Sequence, residues 1–107
     1  MPKYLLKVSY TADGAKGLIK DGGSRRREAA QGLVRSVGGS MEAFYYAFGS
    51  TDVYAIVDVP DAASAAAMSI ALAASGSVTG ELTVLLTAEE IDAAAKKSPS
   101  YMAPGRS

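Results

Sequence analysis

The chain has 107 residues, with eleven basic and eleven acidic side chains and therefore a formal net charge of zero at pH 7. This length fits a single domain, and the balanced charge argues against nucleic acids and anionic membranes as partners. The chain contains neither cysteine nor histidine, which removes most transition-metal sites and catalysis by Cys–His or Ser–His–Asp groups, and leaves only all-oxygen sites for hard cations.

Hydrophobic periodicity and turn residues divide the chain into strands and helices. In chain order we predict a strand at Lys3–Tyr10, a helix over residues 11–21 capped by Thr11, and a helix from the cap Ser24 to Gly38-Gly39. A hairpin follows over residues 42–60, around the loop Gly49-Ser50-Thr51. The last elements are a helix from the cap Asp61 to Gly76, a strand over residues 78–87 and a helix over residues 88–96. Residues 1–97 make up the predicted domain. Residues 98–107 are predicted to form a flexible tail or to lie over a neighbouring subunit.

The order β-α-β-β-α-β predicts an α+β, ferredoxin-like antiparallel sheet with the helices on one face. The other face would carry Leu5, Ile56 and Leu85 together with aromatic residues of the hairpin. Such a face is too apolar to be left in water, and pairing of two sheets is the simplest way to cover it. We therefore expect a homodimer or a higher homo-oligomer.

The start of the chain indicates where the protein resides. The run Met-Pro-Lys-Tyr-Leu-Leu-Lys has no continuous apolar segment long enough for a signal peptide or a membrane span. We therefore expect a soluble, cytoplasmic protein that does not bind membranes.

Five segments of the chain form a recognisable set: Lys3–Tyr10, Gly22-Gly-Ser-Arg-Arg-Arg-Glu28, Gly38-Gly39, Phe48-Gly-Ser-Thr-Asp-Val-Tyr-Ala-Ile-Val-Asp58 and Thr83-Val-Leu-Leu-Thr-Ala-Glu-Glu90. Together they resemble the GYD-domain family of bacterial proteins. The resemblance covers nearly all of residues 3–97 and implies a ferredoxin-like fold of the dimeric α/β-barrel kind, with no established activity. The family is named after a Gly, a Tyr and an Asp at the hairpin turn. Gly49 and Asp52 match this signature, whereas Thr51 stands where the tyrosine is expected.

Strand parity groups a set of polar side chains on the sheet face that points away from the helices. The set comprises Lys7 and Ser9 on the first strand, Tyr54 and Asp58 on the third, and Glu81 and Thr83 on the last. In the strand order 4-1-3-2 the first strand lies between the third and the fourth. Lys7 can therefore reach carboxylates on both sides.

The register of the hairpin decides which residues of its first strand join this set. With the loop Gly49-Ser50-Thr51, Tyr46 pairs with Tyr54 and Glu42 pairs with Asp58. A loop one residue longer or shorter puts Tyr45 in that place instead. In a partly dry cleft, two neighbouring carboxylates could share a proton or be neutralised by a lysine.

The predicted sites follow from these placements. The candidate ligand-binding cleft comprises Lys7, Ser9, Glu42, Tyr46, Asp52, Tyr54, Asp58 and Glu81; the alternative interpretation of its charges is a set of interface salt bridges. An anion-binding site is predicted from Ser24, Arg25 and Arg26 at a helix start, and its alternative is a solvated first turn. It is not a P-loop, because Gly23 occupies the position of that motif's lysine.

These residues favour a homo-oligomeric binding or regulatory module that takes a small organic molecule between the sheet and a neighbouring subunit. The first alternative is a cofactor-free enzyme of the dimeric α/β-barrel type, a monooxygenase or isomerase that uses Tyr, Asp and Lys side chains; this alternative rests on fold analogy. The second is a purely structural or adaptor protein. The sequence assigns no catalytic residue, no metal and no cofactor.

Overall fold

Four strands and four helices make up the computed structural model, which describes residues 1–106. They are β1 (Lys3–Tyr10), α1 (Ala12–Asp21), α2 (Gly23–Ser36), β2 (Ser40–Tyr46), β3 (Val53–Asp58), α3 (Ala62–Ser75), β4 (Val78–Leu85) and α4 (Ala88–Ala95). The strands form one antiparallel sheet in the order β2-β3-β1-β4. This is the predicted 4-1-3-2 arrangement, and it confirms the α+β, ferredoxin-like fold.

Two predicted helix caps are confirmed. Thr11 Oγ1 accepts a hydrogen bond from the backbone N–H of Gly14 at 3.2 Å, and Asp61 Oδ1 accepts one from that of Ser64 at 2.8 Å. Each side chain satisfies a backbone donor in the first turn that has no partner within its helix. The starts of α1 and α3 are therefore encoded locally in the sequence.

Helix α2 begins at Gly23 rather than after the predicted cap Ser24. The residue before it, Gly22, has a φ of 84°, a left-handed conformation that glycine adopts without steric cost. Gly22 ends α1 and begins α2 directly. The side chain of Ser24 therefore lies in the first turn of α2 and not at its cap.

The sheet face toward the helices forms the core. The buried apolar residues are Leu6, Val8, Val34, Val53, Ala55, Val57, Val59, Ala65 and Met68. Helix α2 packs mainly against β2 and α3 against β4, and the two helices share the core cluster of Val34, Ala65 and Met68. Toward the other end of the core, a space remains above the central strands.

The C-terminal part of the chain extends away from this core. Every residue of α4 is exposed, and Leu86, Ile91, Tyr101 and Met102 each expose at least half of their surface. The radius of gyration is 17.2 Å and the molecule is 60 Å long, whereas a compact chain of this length has a radius of gyration of about 13 Å. Apolar surface of this segment is thus left uncovered by its own chain.

The predicted domain boundary at residue 97 falls two residues beyond α4. The last residue of the predicted tail, Ser107, lies outside the described residues. Within residues 1–106, no helix has the length and apolar character needed to cross a membrane.

Candidate functional site

The open face of the sheet, defined as the face turned away from the helices, brings three of the predicted polar residues into one row. Lys7 of β1 lies opposite Tyr54 of β3 and opposite Glu81 of β4. Directly opposed residues of an antiparallel pair are close enough for their side chains to interact. The row Tyr54–Lys7–Glu81 therefore places a phenol, an ammonium group and a carboxylate across three neighbouring strands.

The predicted register of the hairpin is wrong by one residue, and the alternative with Tyr45 is confirmed. Tyr45, not Tyr46, lies opposite Tyr54, and Ser40, not Glu42, lies opposite Asp58. The connection is longer than expected because β2 ends at Tyr46 and β3 begins at Val53. An irregularity between Met41 and Ala43 then shifts the lower half of the strand again, as a β-bulge does.

Tyr46 consequently points to the helix side of the sheet and not into the predicted cleft. Its hydroxyl donates a hydrogen bond to the carbonyl oxygen of Gly23 at 2.8 Å. Its ring lies edge-on to that of Phe44, with centroids 5.1 Å apart. A one-residue change of register moves every side chain of a strand to the opposite face, which explains the correction.

Lys3 is a residue of the open face that the sequence reasoning missed. Its Nζ lies 3.0 Å from Asp58 Oδ1 and 3.3 Å from Glu42 Oε2. Glu42 and Asp58, which were predicted to pair across the strands, therefore both bind Lys3 instead. The hydrogen bond to Asp58 is the main cause of a raised pKa for the Lys3 ammonium group. Lys3 and Lys7 are an even number of residues apart on β1 and therefore lie on the same face. This spacing was the signal in the sequence that could have identified Lys3.

Ser9 and Asp52 anchor the hairpin loop to β1. Ser9 Oγ donates a hydrogen bond to the carbonyl oxygen of Ser50 at 2.7 Å, and Asp52 Oδ2 accepts one from the backbone N–H of Tyr10 at 2.8 Å. The backbone N–H of Asp52 also donates to the carbonyl oxygen of Val8 at 2.8 Å. These polar groups are occupied by backbone partners, so their evident role is to fix the position of the loop.

A polar groove of about 360 Å³ lies at the loop end of the open face. Its side chains come from β1, β4 and the hairpin loop: Lys7, Ser9, Ser50, Thr51, Thr79 and Glu81. Of the predicted cleft, the groove thus contains Lys7, Ser9 and Glu81. Glu42 and Asp58 lie with Lys3 toward the opposite end of the strands.

A second space lies on the other side of the sheet, between α2, α3 and the central strands. This helix-side cavity has a volume of about 180 Å³. Its apolar lining includes Leu6, Val8, Leu33, Phe44, Leu72 and Val78. The part of the lining that comes from α2 includes the small side chains of Ala29 and Ala30. Their size is the feature of the sequence that could have indicated an unfilled space.

Two polar side chains, Tyr10 and Arg26, also line the helix-side cavity. Burial is the main cause that raises the pKa of Tyr10 to about 12, and the neighbouring Tyr46 adds to it. The Tyr10 phenol is therefore protonated at physiological pH. Tyr46 donates to Gly23, so its oxygen can accept a hydrogen bond from Tyr10.

The predicted anion-binding residues face different surroundings. Ser24 and Arg25 are exposed, whereas Arg26 is partly buried. The Nη1 atom of Arg26 lies 3.6 Å from Asp21 Oδ2, and the same side chain lines the helix-side cavity. Arg26 is thus the residue of this group that faces the interior.

Comparison with known families decides the identity of the chain. The model of the GYD domain matches residues 4–95, which is most of the sequence. The chain belongs to the GYD-domain family. No curated protein and no solved structure matches it.

The signature turn of this GYD-domain protein has a structural explanation. Gly49 has a φ of 115°, a conformation that residues with a side chain rarely adopt, and Asp52 holds the loop against β1. Thr51, in the position expected for the tyrosine, is only 8% exposed. Phenol groups on the open face come instead from Tyr45 and Tyr54, which are 71% and 40% exposed.

A metal site in this GYD-domain protein would have to be built from acidic side chains, because the chain contains neither histidine nor cysteine. Within residues 1–106, no group of three or more acidic side chains is placed so that it could hold a metal ion. We therefore assign no metal ligands in the described part of the chain.

Proposed function

We propose that this GYD-domain protein is a homo-oligomeric module that pairs the open faces of two sheets and binds a small polar organic molecule in the groove at Lys7. The observation that supports this proposal is the composition of the open face. It combines large apolar side chains with the row Tyr54–Lys7–Glu81. Its own helices all lie elsewhere, so another molecule has to cover it.

The apolar part of the open face favours a second copy of the chain as its partner. Leu5 and Ile56 lie opposite each other on the two central strands, and Leu85 follows on β4. Tyr45 and Tyr54 form an exposed aromatic pair beside them. A self-complementary surface of this kind suits a two-fold symmetric interface, in which the same patch is used twice.

The polar part of the face favours a bound molecule over a simple interface. The groove offers the ammonium group of Lys7 as a donor, the carboxylate of Glu81 as an acceptor, and the hydroxyl of Thr79 as both. A neighbouring subunit laid over the sheet would close this groove from above. A molecule bound there would then meet the polar side chains of the groove on one side and the apolar surface of the neighbouring subunit on the other.

A thermal-shift screen tests the proposal with the wild-type protein and two matched lysine variants. Compounds that bind in the groove are expected to raise the melting temperature of the wild type and of Lys16→Ala, because Lys16 is exposed on α1. They should lose this effect on Lys7→Ala, since ligand stabilisation scales with affinity. Compounds that stabilise Lys7→Ala as strongly as the wild type would contradict the assignment of the groove. A wild-type protein that is monomeric by light scattering would contradict the proposed assembly.

A further inference from the structure

The helix-side cavity is large enough to hold an organic molecule. Its volume is about 180 Å³, and a dry apolar cavity of about 150 Å³ in another protein is known to take up benzene. An aromatic ring or a short alkyl chain is therefore the appropriate size of guest. The space opens to solvent beside the exposed Ala29, so a guest can enter it and its apolar part would displace water from an apolar wall.

The fold leaves this volume open for identifiable reasons. The face of α2 above the cavity carries Ala29 and Ala30, whereas the cluster that joins α2 to α3 through Val34 and Met68 lies toward the other end of the core. Leu72 reaches in from α3 and lies so close to Gly80 that a Cβ atom there would come within 3.2 Å of its Cδ1. Leu72 is therefore already packed against β4. The side chains that line the space have no packing partner on the side of the space, and a bound molecule would provide those contacts.

One end of the helix-side cavity is polar. Arg26 lines the cavity there, and it also borders a neighbouring space together with Asp13 and Asp21. The 3.6 Å separation of Arg26 from Asp21 is longer than a strong charge-assisted hydrogen bond, so the guanidinium group has donors left for a further acceptor. The protonated phenol of Tyr10 lies at the same end.

We propose that the helix-side cavity is a second binding site, which takes a small molecule with an apolar body and one carboxylate group. The body fills the space among Leu6, Val8 and Leu72, and the carboxylate accepts hydrogen bonds from the guanidinium group of Arg26. An arginine matches the planar geometry of a carboxylate. One such group beside an otherwise apolar lining suits a monoanion better than a multiply charged phosphate.

This second site is independent of the function proposed for the open face. Successive residues of a strand point to opposite faces of the sheet, so Leu6 and Val8 line the cavity while Lys7 lies in the open-face groove. Substitutions can therefore be placed in one site without altering the other.

Titration by NMR of the full chain, following its methyl groups, tests the cavity with octanoate, phenylacetate and the neutral analogue octanol. We expect millimolar octanoate or phenylacetate to shift the methyl signals of Leu6, Val8 and Leu72. Arg26→Gln should weaken octanoate binding about tenfold or more. The neighbouring exposed Arg25→Gln, and Lys7→Ala on the open face, should change it by less than about twofold.

Three results would overturn the proposal. The first is the lack of any shift of these methyl signals with either carboxylate. The second is an equal loss of affinity in Arg25→Gln and Arg26→Gln, which would indicate general electrostatic attraction. The third is octanol binding as tightly as octanoate to the wild type. Ala30→Leu provides a further check, because filling the cavity should abolish the shifts while the fold, followed by circular dichroism, is retained.

Discussion

Replacement of Ile56 by glutamate is the sharpest test of the proposed pairing of sheets. Ile56 lies in the middle of β3, opposite Leu5 on one side and Ala43 on the other. In a two-fold symmetric dimer each substitution occurs twice, once in each copy. The Ile56→Glu protein therefore loses apolar contact from both subunits and gains two carboxylates in a poorly hydrated interface.

The size of the open face sets the magnitude of the effect. Its strands contain six to eight residues, so the face measures about 24 by 19 Å, or roughly 450 Å² per subunit, from the standard strand spacings. Stable interfaces bury about 800 Å² per partner. The open face is thus small for an interface, and the loss of one central side chain removes a large share of its apolar contact.

Ile56 is already partly buried in the monomer, so its further burial contributes about 1 kcal/mol per copy, half of the usual value. The loss for the dimer is about 2 kcal/mol, which raises the dissociation constant at least about thirtyfold before the charges are considered.

Sedimentation velocity over a concentration series measures this change. The matched control is Ile19→Glu, because Ile19 lies on α1 and is 84% exposed. We expect the control to assemble like the wild type and Ile56→Glu to shift toward monomer while its helix and strand content stays unchanged. The reasoning is refuted if Ile56→Glu assembles as tightly as the control.

Two further substitutions test other parts of the structure. Gly14→Ala would push a Cβ atom into the carbonyl oxygen of Ser77, so we expect urea unfolding to report a loss of about 1–3 kcal/mol; Gly17→Ala on the same helix meets open space and should gain up to about 1 kcal/mol. If the two variants had the same free energy of unfolding, the close packing of Gly14 against Ser77 would be contradicted. Burial raises the pKa of Tyr10 from 10.0 to about 12. The stability that the buried, protonated phenol contributes is therefore intact below pH 10 and is lost as the pH rises toward 12. Thermal melts over this range should therefore fall more steeply for the wild type than for Tyr10→Phe, and equal slopes would contradict the burial of this phenol.

The sequence was sufficient for those features of the fold that depend on local patterns. The alternation of β1 placed Leu6 and Val8 on the core face, and the side chains of Thr11 and Asp61 marked two helix starts. The order of elements then restricted the sheet to a single arrangement, because crossover connections follow a fixed handedness. That order and the strand parity placed Lys7 between β3 and β4 with a carboxylate expected on each side; Glu81 is there on β4, but Tyr54 lies opposite Lys7 on β3, and Asp58 lies opposite Lys3.

The hairpin register could not be obtained in the same way. It depends on the bulge next to Glu42 and on the loop that Asp52 attaches to β1, and both involve partners distant in the sequence. Turn residues such as Gly49 indicate where a hairpin bends but leave its register open by one residue. That single residue decides whether Tyr45 or Tyr46 lies on the open face.

The helix-side cavity could not be predicted from the sequence either, for a different reason. Its volume depends on the distance between α2 and α3, which no periodicity encodes. Only the size of Ala29 and Ala30 hinted at it, and alanines in a core-facing stripe usually indicate close packing of a helix on a sheet. Here α2 and α3 pack together through Val34 and Met68 at one end of the core, and at the other end the alanines leave a space.

The two proposed sites share the strand that separates them. Leu6 and Val8 form part of the floor of the cavity, and Lys7 between them lies in the open-face groove. Cores are closely packed and transmit displacement, so a shift of β1 would alter both surfaces together. Substitutions at Arg26 and Ile56 act through side chains on α2 and β3, which leaves β1 itself unchanged. These two positions therefore allow ligand binding and self-association to be measured separately in the same protein.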